Sequence, residues 1–195
     1  MGVTLQGRFA ALTNVRDPSM PAAARSRGEL AAAYLRGDVS AATFAQQVQR
    51  DREQYGGFNL LLADAEQLWC VGSHQPEPVA VSSGWHGLSN ATLNTPWPKL
   101  QRLLAGAQTL SAQQVAASRS HLDLLADTTP AADSALPETG VGVLMERMLS
   151  PICIRTPAYG TRNSTWLRLT REEILWHEQD YNEGVQREFQ RARLS

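Results

Sequence analysis

Two short apolar runs joined by a polar turn constrain the fold of this chain most strongly. Phe58–Ala63 and Leu68–Gly72 are separated by four residues, Asp64 to Gln67, and each run has the length of a strand rather than of a helix. A chain that reverses direction over so few residues can pair its flanking strands only in the antiparallel sense. The sequence therefore predicts at least one antiparallel hairpin, built into a sheet with a buried face.

Helical patterns come in pairs on either side of this hairpin. The capping-box spacing of Ser26 and Glu29 opens the first helix, and the hydroxyl of Ser40 opens the second. The further predicted elements are a strand over 7–14, helices over 96–106 and 111–126, a short helix or turn over 143–149, and paired strands over 164–170 and 174–178. Helix pairs between antiparallel strands indicate an α+β layered domain.

Composition excludes several classes of function. With 195 residues the chain is long enough for one domain with a substantial core. Its 18 Lys and Arg residues nearly balance 19 Asp and Glu residues, so the net charge of -1 provides no field that would attract nucleic acid or an anionic membrane. The apolar runs are too short to cross a bilayer, and we predict no transmembrane segment.

The cysteines and histidines show no metal-binding pattern. Cys70 and Cys153 are far apart and lack a CxxC arrangement, which argues against a zinc site or a disulfide framework. The four histidines are scattered, and His86, beside Gly87, is more typical of a structural residue than of an axial ligand. We therefore predict no metal centre and, in the absence of a visible leader segment, a cytoplasmic location.

Six sequence motifs occur in a fixed order along most of the chain, over residues 14–18, 26–30, 57–61, 87–99, 136–142 and 159–165. Together they resemble the transport and Golgi organisation 2 family, also called NRDE proteins. That family normally opens with Met-Cys followed by an Asn-Arg-Asp-Glu segment, whereas this chain begins Met1-Gly2-Val3-Thr4. The comparison leads us to expect a single NRDE-type domain over 1–195 that is incomplete at its N-terminus.

The resemblance implies a particular fold. Members of the transport and Golgi organisation 2 family are similar to the N-terminal nucleophile hydrolases, especially the penicillin V acylases and bile salt hydrolases. These hydrolases form a four-layer αββα sandwich of antiparallel sheets. We expect this α+β arrangement here, without its first strand or strands. Residues 184–195 depart from the family's usual ending, and their spaced arginines lead us to expect a frayed helical tail.

The resemblance also implies a role in intracellular haem trafficking and in lipid and acyl-CoA homeostasis. On this interpretation haem is a transported ligand rather than a resident cofactor, and the partner is a small hydrophobic or haem-like molecule. Arginines would hold the propionates and an aromatic side chain would flank the macrocycle. The candidate ligand-binding residues are Arg16, Asp17, Asn90, Trp97 and Arg162.

Two alternatives stay open. The first is a cysteine amidohydrolase, in which one N-terminal residue supplies both the thiol and the α-amine. Met1 stands at that place, so we assign no catalytic residue and do not expect the chain as given to be an enzyme. The resemblance would place the amides of Asn14 and Asn90 near a developing oxyanion, and Arg162 near a late active-site arginine. Asn14 and Asn90 are equally typical of residues that cap turns.

The second alternative is a non-catalytic interaction domain. The sequence does not specify the ligand or the oligomeric state.

Overall fold

The computed structural model describes residues 1–15 and 23–194, which form an α+β protein with two antiparallel sheets. The contacts between Cα atoms divide these residues into two compact units. The N-terminal unit contains residues 1–95 together with Arg193 and Leu194, and the C-terminal unit contains residues 96–192. That residues 1–195 form one NRDE-type domain stays a prediction.

The N-terminal unit is built on a five-stranded antiparallel sheet whose strands follow one another in chain order. They are β1 (Gly2–Val3), β2 (Phe9–Asn14), β3 (Phe58–Ala63), β4 (Leu68–Gly72) and β5 (Val79–Ala80). The hairpin of β3 and β4 confirms the sequence prediction, and its register pairs Ala63 with Leu68. Asp64 closes the turn by accepting hydrogen bonds from the backbone of Glu66 and Gln67 at 3.0 and 3.1 Å.

Two helices cover one face of this sheet and form the core with it. Helix α1 (Gly28–Arg36) and helix α2 (Ala41–Asp51) contribute Tyr34 and Val48, which are buried in one cluster with Phe58 and Leu60 of β3. Ser40 caps α2, as predicted, by accepting a hydrogen bond from the backbone of Thr43 at 3.2 Å. The burial of large side chains from both helices and from the sheet is the main stabilising contribution here.

The capping box predicted for α1 does not form. The N-cap residue is Arg27, and it makes no capping bond through its side chain. The carboxylate of Glu29 is held elsewhere, because it pairs with Arg25 at 2.5 Å and accepts a hydrogen bond from the Tyr55 hydroxyl at 2.9 Å. Arg25 and Tyr55 thus hold the carboxylate that the capping-box pattern assigned to the N-terminus of α1.

The helices of the C-terminal unit are α3 (Pro98–Gln108), α4 (Ala112–Val115), α5 (Ser118–Leu125) and α6 (Val143–Leu149). Helix α3 begins later than predicted, because Trp97 precedes a proline and is therefore extended, with ψ of 145°. The helix predicted over 111–126 is interrupted where Ala117 adopts an extended conformation with ψ of 124°. Val115, in the short helix before this break, is 37% exposed.

The C-terminal unit also contains a three-stranded antiparallel sheet of β6 (Asn163–Leu169), β7 (Glu173–Asp180) and β8 (Gln186–Ala192). The helical tail predicted near the C-terminus is wrong, since β8 pairs with β7 along its whole length. Gly184, with φ of +68°, permits the reversal of the chain between β7 and β8. Backbone hydrogen bonds to β7 decide the conformation of β8. The spacing of the arginines is a local pattern and does not reveal these bonds.

Among the residues that the structure describes, no helix combines the length and the apolar character needed to cross a membrane.

Candidate functional site

A buried asparagine in β3 anchors the loop that carries one of the sequence motifs. Asn59 is only 1% exposed, and its Nδ2 donates a hydrogen bond to the carbonyl of Ala91 at 2.7 Å. Thr13, its register partner on β2, donates through Oγ1 to the carbonyl of Ser89 at 3.1 Å. The register pair of Thr13 and Asn59 therefore holds the residues on both sides of Asn90.

The carbonyl oxygen of the Asn59 side chain is buried and has no hydrogen-bond partner among the described residues. It lies against β4, where a Cβ atom built on Gly72 would come within 2.4 Å of Oδ1. Glycine is therefore required at the register partner of Asn59. The sequence analysis did not select Asn59, although a polar residue inside an apolar strand was a usable signal.

Asn14 and Asn90 contact each other. The contact joins the Asn90 Nδ2, as donor, to the backbone carbonyl of Asn14 at 2.6 Å. The side chain of Asn14 is exposed at the end of β2. This bond is of the kind that asparagine makes when it stabilises a turn, and it leaves one N–H of the Asn90 amide for a ligand.

His86 is held by its own loop through both ring nitrogens. Nε2 lies 3.0 Å from the carbonyl of Ser82, and Nδ1 lies 3.0 Å from Nδ2 of Asn94. Axial ligation would break one of these contacts. Within residues 1–15 and 23–194, no group of three or more His, Cys, Asp or Glu side chains is arranged to hold a metal ion.

Neither cysteine is suited to act as a nucleophile. Cys70 and Cys153 are both fully buried. Burial raises the pKa of the Cys70 thiol to about 11, which keeps it protonated at neutral pH. This is the opposite of the shift that activates a catalytic thiol.

In the C-terminal unit a tight loop presents two arginines, Arg155 and Arg162, to one cavity of about 300 Å³. The loop is closed at its base, because Thr161 donates from its backbone to the carbonyl of Ile154 at 2.8 Å and accepts through Oγ1 from the backbone of Ile154 at 2.9 Å. It is closed again nearer its tip by Thr156, whose Oγ1 bonds the carbonyl of Tyr159 at 2.5 Å.

A glycine allows the two sides of this loop to approach each other. Arg155 and Gly160 form an isolated antiparallel bridge, and a Cβ atom on Gly160 would lie 2.8 Å from the carbonyl oxygen of Ile154. The loop conformation therefore depends on Gly160, within the Tyr-Gly-Thr-Arg motif.

The pairing of β6 with β7 places the second arginine beside the first. Asn163 pairs with Asp180, so the residues just outside that pair, Arg162 and Tyr181, meet at one edge of the sheet. The backbone of Tyr181 donates to the carbonyl of Arg162 at 2.8 Å. The guanidinium carbon of Arg155 lies 3.9 Å from the centre of the Tyr181 ring, which orients this cation by a cation–π contact.

The charges around this cavity favour an anion. Among the described residues, neither Arg155 nor Arg162 forms an ion pair with a carboxylate. The nearby carboxylate of Asp180 is already satisfied, because it accepts from the backbone of Glu183 at 3.0 Å and from Arg187 at 3.2 Å. Two guanidinium groups without an acidic partner can bind a carboxylate or a phosphate through paired hydrogen bonds.

The remaining predicted residues lie elsewhere. Trp97 is half-buried at the start of α3, where its ring centre lies 5.7 Å from Nζ of Lys99, and it does not line the cavity of the two arginines. Arg16 and Asp17 fall outside the described residues. Arg155 was missed in the sequence analysis, although an arginine at each end of a short Pro-Ala-Tyr-Gly turn was a readable signal.

Comparison with known proteins decides the family. A sequence model described as Transport and Golgi organisation 2 matches residues 1–183. The chain belongs to this family. Its relatives include the Transport and Golgi organization protein 2 homologs of Homo sapiens, 35% identical over 182 residues, and of Bos taurus, 34% identical over 182 residues. Another is the Transport and Golgi organization 2 homolog of Mus musculus, 30% identical over 181 residues.

Each of these matches covers 85% of this chain and 65% of the relative, so the chain spans less than two thirds of their length. The resemblance inferred from the six motifs is thereby confirmed.

Proposed function

We propose that this family member is an exchangeable carrier for a small hydrophobic ligand with acidic groups, with haem as the first candidate, in the cytoplasm. One observation carries the proposal: Arg155 and Arg162 line the same cavity without a carboxylate partner among the described residues. The relatives are named for transport, and transfer of a ligand between partners is a form of transport.

The size and lining of the cavity set the mode of binding. About 300 Å³ is at the lower end for a ligand pocket, and the lining comes largely from a polar loop. Such a site holds the acidic end of a ligand, the propionates in the case of haem, and leaves most of the macrocycle outside. Binding of this kind is readily reversed, which a carrier requires.

The phosphates of acyl-CoA present the same charge chemistry as the propionates of haem. A guanidinium group can bind both types of oxygen anion in a bidentate manner, so Arg155 and Arg162 suit both ligands. This shared chemistry supports the proposed link to lipid and acyl-CoA homeostasis. Arg16, Asp17, Asn90 and Trp97 remain proposed ligand contacts.

We further propose the four-layer αββα sandwich of the N-terminal nucleophile hydrolases as the complete architecture. Helices α1 and α2 pack on the sheet of the N-terminal unit, and α5 packs on β6, which supplies helix-on-sheet layers in each unit. A hydrolase that uses Cys70 or Cys153 is not favoured, because both thiols are buried. An experimental structure of the protein would test this layering.

Titration with hemin, followed by the Soret band, tests the carrier proposal. We expect saturable binding that weakens about tenfold to a hundredfold on Arg162→Ala or Arg155→Ala, because each change removes one charge-assisted contact worth about 1.5–3 kcal/mol. Arg171→Ala, which alters an exposed arginine in the turn between β6 and β7, is the matched control and should bind normally.

Acyl-CoA serves as a competitor in the same titration and should displace hemin from the wild-type protein. Saturable binding that survives loss of both Arg155 and Arg162 would place the ligand elsewhere, and the absence of saturable binding would reject the carrier function.

A further inference from the structure

A second cavity of the C-terminal unit, of about 210 Å³, contains a serine, a histidine and a glutamate joined in one chain of contacts. Oγ of Ser118 lies 2.6 Å from Nδ1 of His177. The other ring nitrogen, Nε2, lies 3.2 Å from Oε1 of Glu188. None of these residues belongs to the ligand site formed by Arg155 and Arg162.

The hydrogen bond between Ser118 and His177 is of the kind that joins a nucleophile to its base. The negative charge of the Glu188 carboxylate, 3.2 Å from Nε2 of His177, favours the tautomer that carries its proton on Nε2. Nδ1 is then an unprotonated acceptor, and the hydroxyl of Ser118 donates to it. This tautomer is the one required for removal of the serine proton.

The sheet holds the histidine from both sides. His177 lies on the central strand, where its register partners are Trp166 on β6 and Glu188 on β8. The Trp166 ring meets the imidazole edge-on, with centroids 5.5 Å apart and an angle of 76° between the planes. The His177 side chain is 22% exposed, so it is fixed in orientation and still reachable from solvent.

The serine stands where backbone donors can stabilise negative charge. Ser118 is the first residue of the eight-residue helix α5 and is partly exposed. The N–H groups of a first helical turn have no partner within the helix, and they point along its axis together with the positive end of the helix dipole. An oxyanion formed at Ser118 would therefore lie near these donors.

We infer that Ser118 and His177 form a nucleophile–base pair that hydrolyses small esters of short-chain carboxylic acids, and that Glu188 is a positioning residue for His177. A cavity of about 210 Å³ admits a short acyl chain but not a long one. Its lining includes the apolar side chain of Leu122 and the cation of Arg119, which suit a small acyl group with a polar leaving alcohol.

The reaction uses the ester and one water molecule. Oγ of Ser118 bonds to the acyl carbon while its proton passes to Nδ1 of His177, and the carbonyl electron pair moves onto the oxygen. When this intermediate collapses, the bond to the leaving oxygen breaks and that oxygen takes the proton from Nδ1, so that an alcohol departs. Water attacks the acyl-serine in the same way, and the carboxylic acid leaves as Ser118 regains its proton.

A fluorophosphonate probe and p-nitrophenyl butyrate test the inference on the full chain. We expect covalent labelling of Ser118, mapped by peptide mass spectrometry, together with ester hydrolysis. Ser118→Ala should abolish labelling and lower hydrolysis at least about 100-fold, and His177→Ala should do the same through loss of the general base. Ser120→Ala changes a neighbouring hydroxyl on the same helix and is the matched control.

Folding is monitored by circular dichroism for every variant. Ser118→Ala removes a single oxygen from a partly exposed residue, so it gives a decisive comparison if His177→Ala does not fold. Labelling that persists in Ser118→Ala or in a folded His177→Ala would overturn the inference. So would equal hydrolysis by the wild type and Ser118→Ala.

Glu188 is 65% exposed, so its effect on His177 should be small. We expect Glu188→Ala to lower kcat about twofold to fivefold with KM unchanged, and Glu188→Gln, which keeps an acceptor for Nε2, to recover part of that loss. A change confined to KM would contradict the positioning role.

Discussion

At the scale of single residues, close approach between neighbouring strands is the strictest requirement. The buried amide of Asn59 lies against β4 at the point where Gly72 carries no side chain. A Cβ atom there would lie 2.4 Å from Oδ1 of Asn59 and 3.0 Å from the carbonyl oxygen of Phe58. The amide cannot move away freely, because its nitrogen is bonded to the carbonyl of Ala91.

We predict that Gly72→Ala lowers the free energy of unfolding by about 1–3 kcal/mol, the usual cost of overpacking a rigid site. Gly56→Ala is the matched control, since its Cβ would meet only ordinary contacts near 3.7 Å. Urea denaturation measures both. In the double variant with Asn59→Ala, the loss of stability should be smaller than the sum of the losses in the two single variants, because the clashing oxygen is gone. Full additivity would contradict this explanation.

At the scale of secondary-structure elements, the turn between β7 and β8 depends on the carboxylate of Asp180. One oxygen accepts from the backbone of Asn182 at 2.9 Å and of Glu183 at 3.0 Å, and the other accepts from Arg187 at 3.2 Å. The backbone bond from Glu183 is the main reason why the pKa of Asp180 lies below its ordinary value. Only the ionised carboxylate accepts all these bonds.

The lowered pKa makes the stability of this hairpin depend on pH. The stabilisation that the ionised Asp180 contributes is fully present above the unfolded-state pKa of about 3.9. It is lost as the pH falls through that value toward the folded-state pKa. We predict that Asp180→Asn lowers the urea midpoint at pH 7 and flattens its fall between about pH 5 and pH 3. Asp123→Asn, at an exposed aspartate of α5, should leave the profile unchanged. An acid profile unaltered by Asp180→Asn would show that other groups govern it.

The elements that the sequence predicted correctly are those with local signals. The turn at Asp64 and the cap at Ser40 are formed by residues within a few positions of one another. Elements that depend on distant partners could not be inferred in this way. The β8 strand is decided by its pairing with β7, and the bond from Asn90 to Asn14 spans 76 positions. The position of Arg155 beside Arg162 likewise requires the tertiary fold of the loop.

At the scale of the whole molecule, charge is nearly balanced while some apolar side chains are exposed. The formal net charge is -1, and Leu144, on the outer side of α6, is 76% exposed. Leu149, in the same helix, is only 6% exposed. A weakly charged protein with exposed leucine associates more readily than a charged one, because little repulsion keeps the copies apart.

We predict that Leu144→Glu raises the solubility limit in ammonium sulfate at pH 7 and changes the free energy of unfolding by less than about 0.5 kcal/mol. Leu149→Glu should instead destabilise the protein by several kcal/mol, because it buries a carboxylate in the C-terminal unit. Precipitation curves and urea denaturation measure the two effects. Equal losses of stability in both variants would show that Leu144 is buried in solution.

The outer strand β8 has a further consequence for how this protein behaves at high concentration. All seven of its residues are exposed, and it lies at the edge of its sheet, where unpaired backbone groups can add a strand from another molecule. Arg187 and Arg191 place like charges along this edge, and the Arg191 guanidinium lies 4.4 Å above the ring of Phe189. Strand addition would take charged side chains such as Arg187, Glu188 and Arg191 out of water, so this edge is protected against amyloid-like growth.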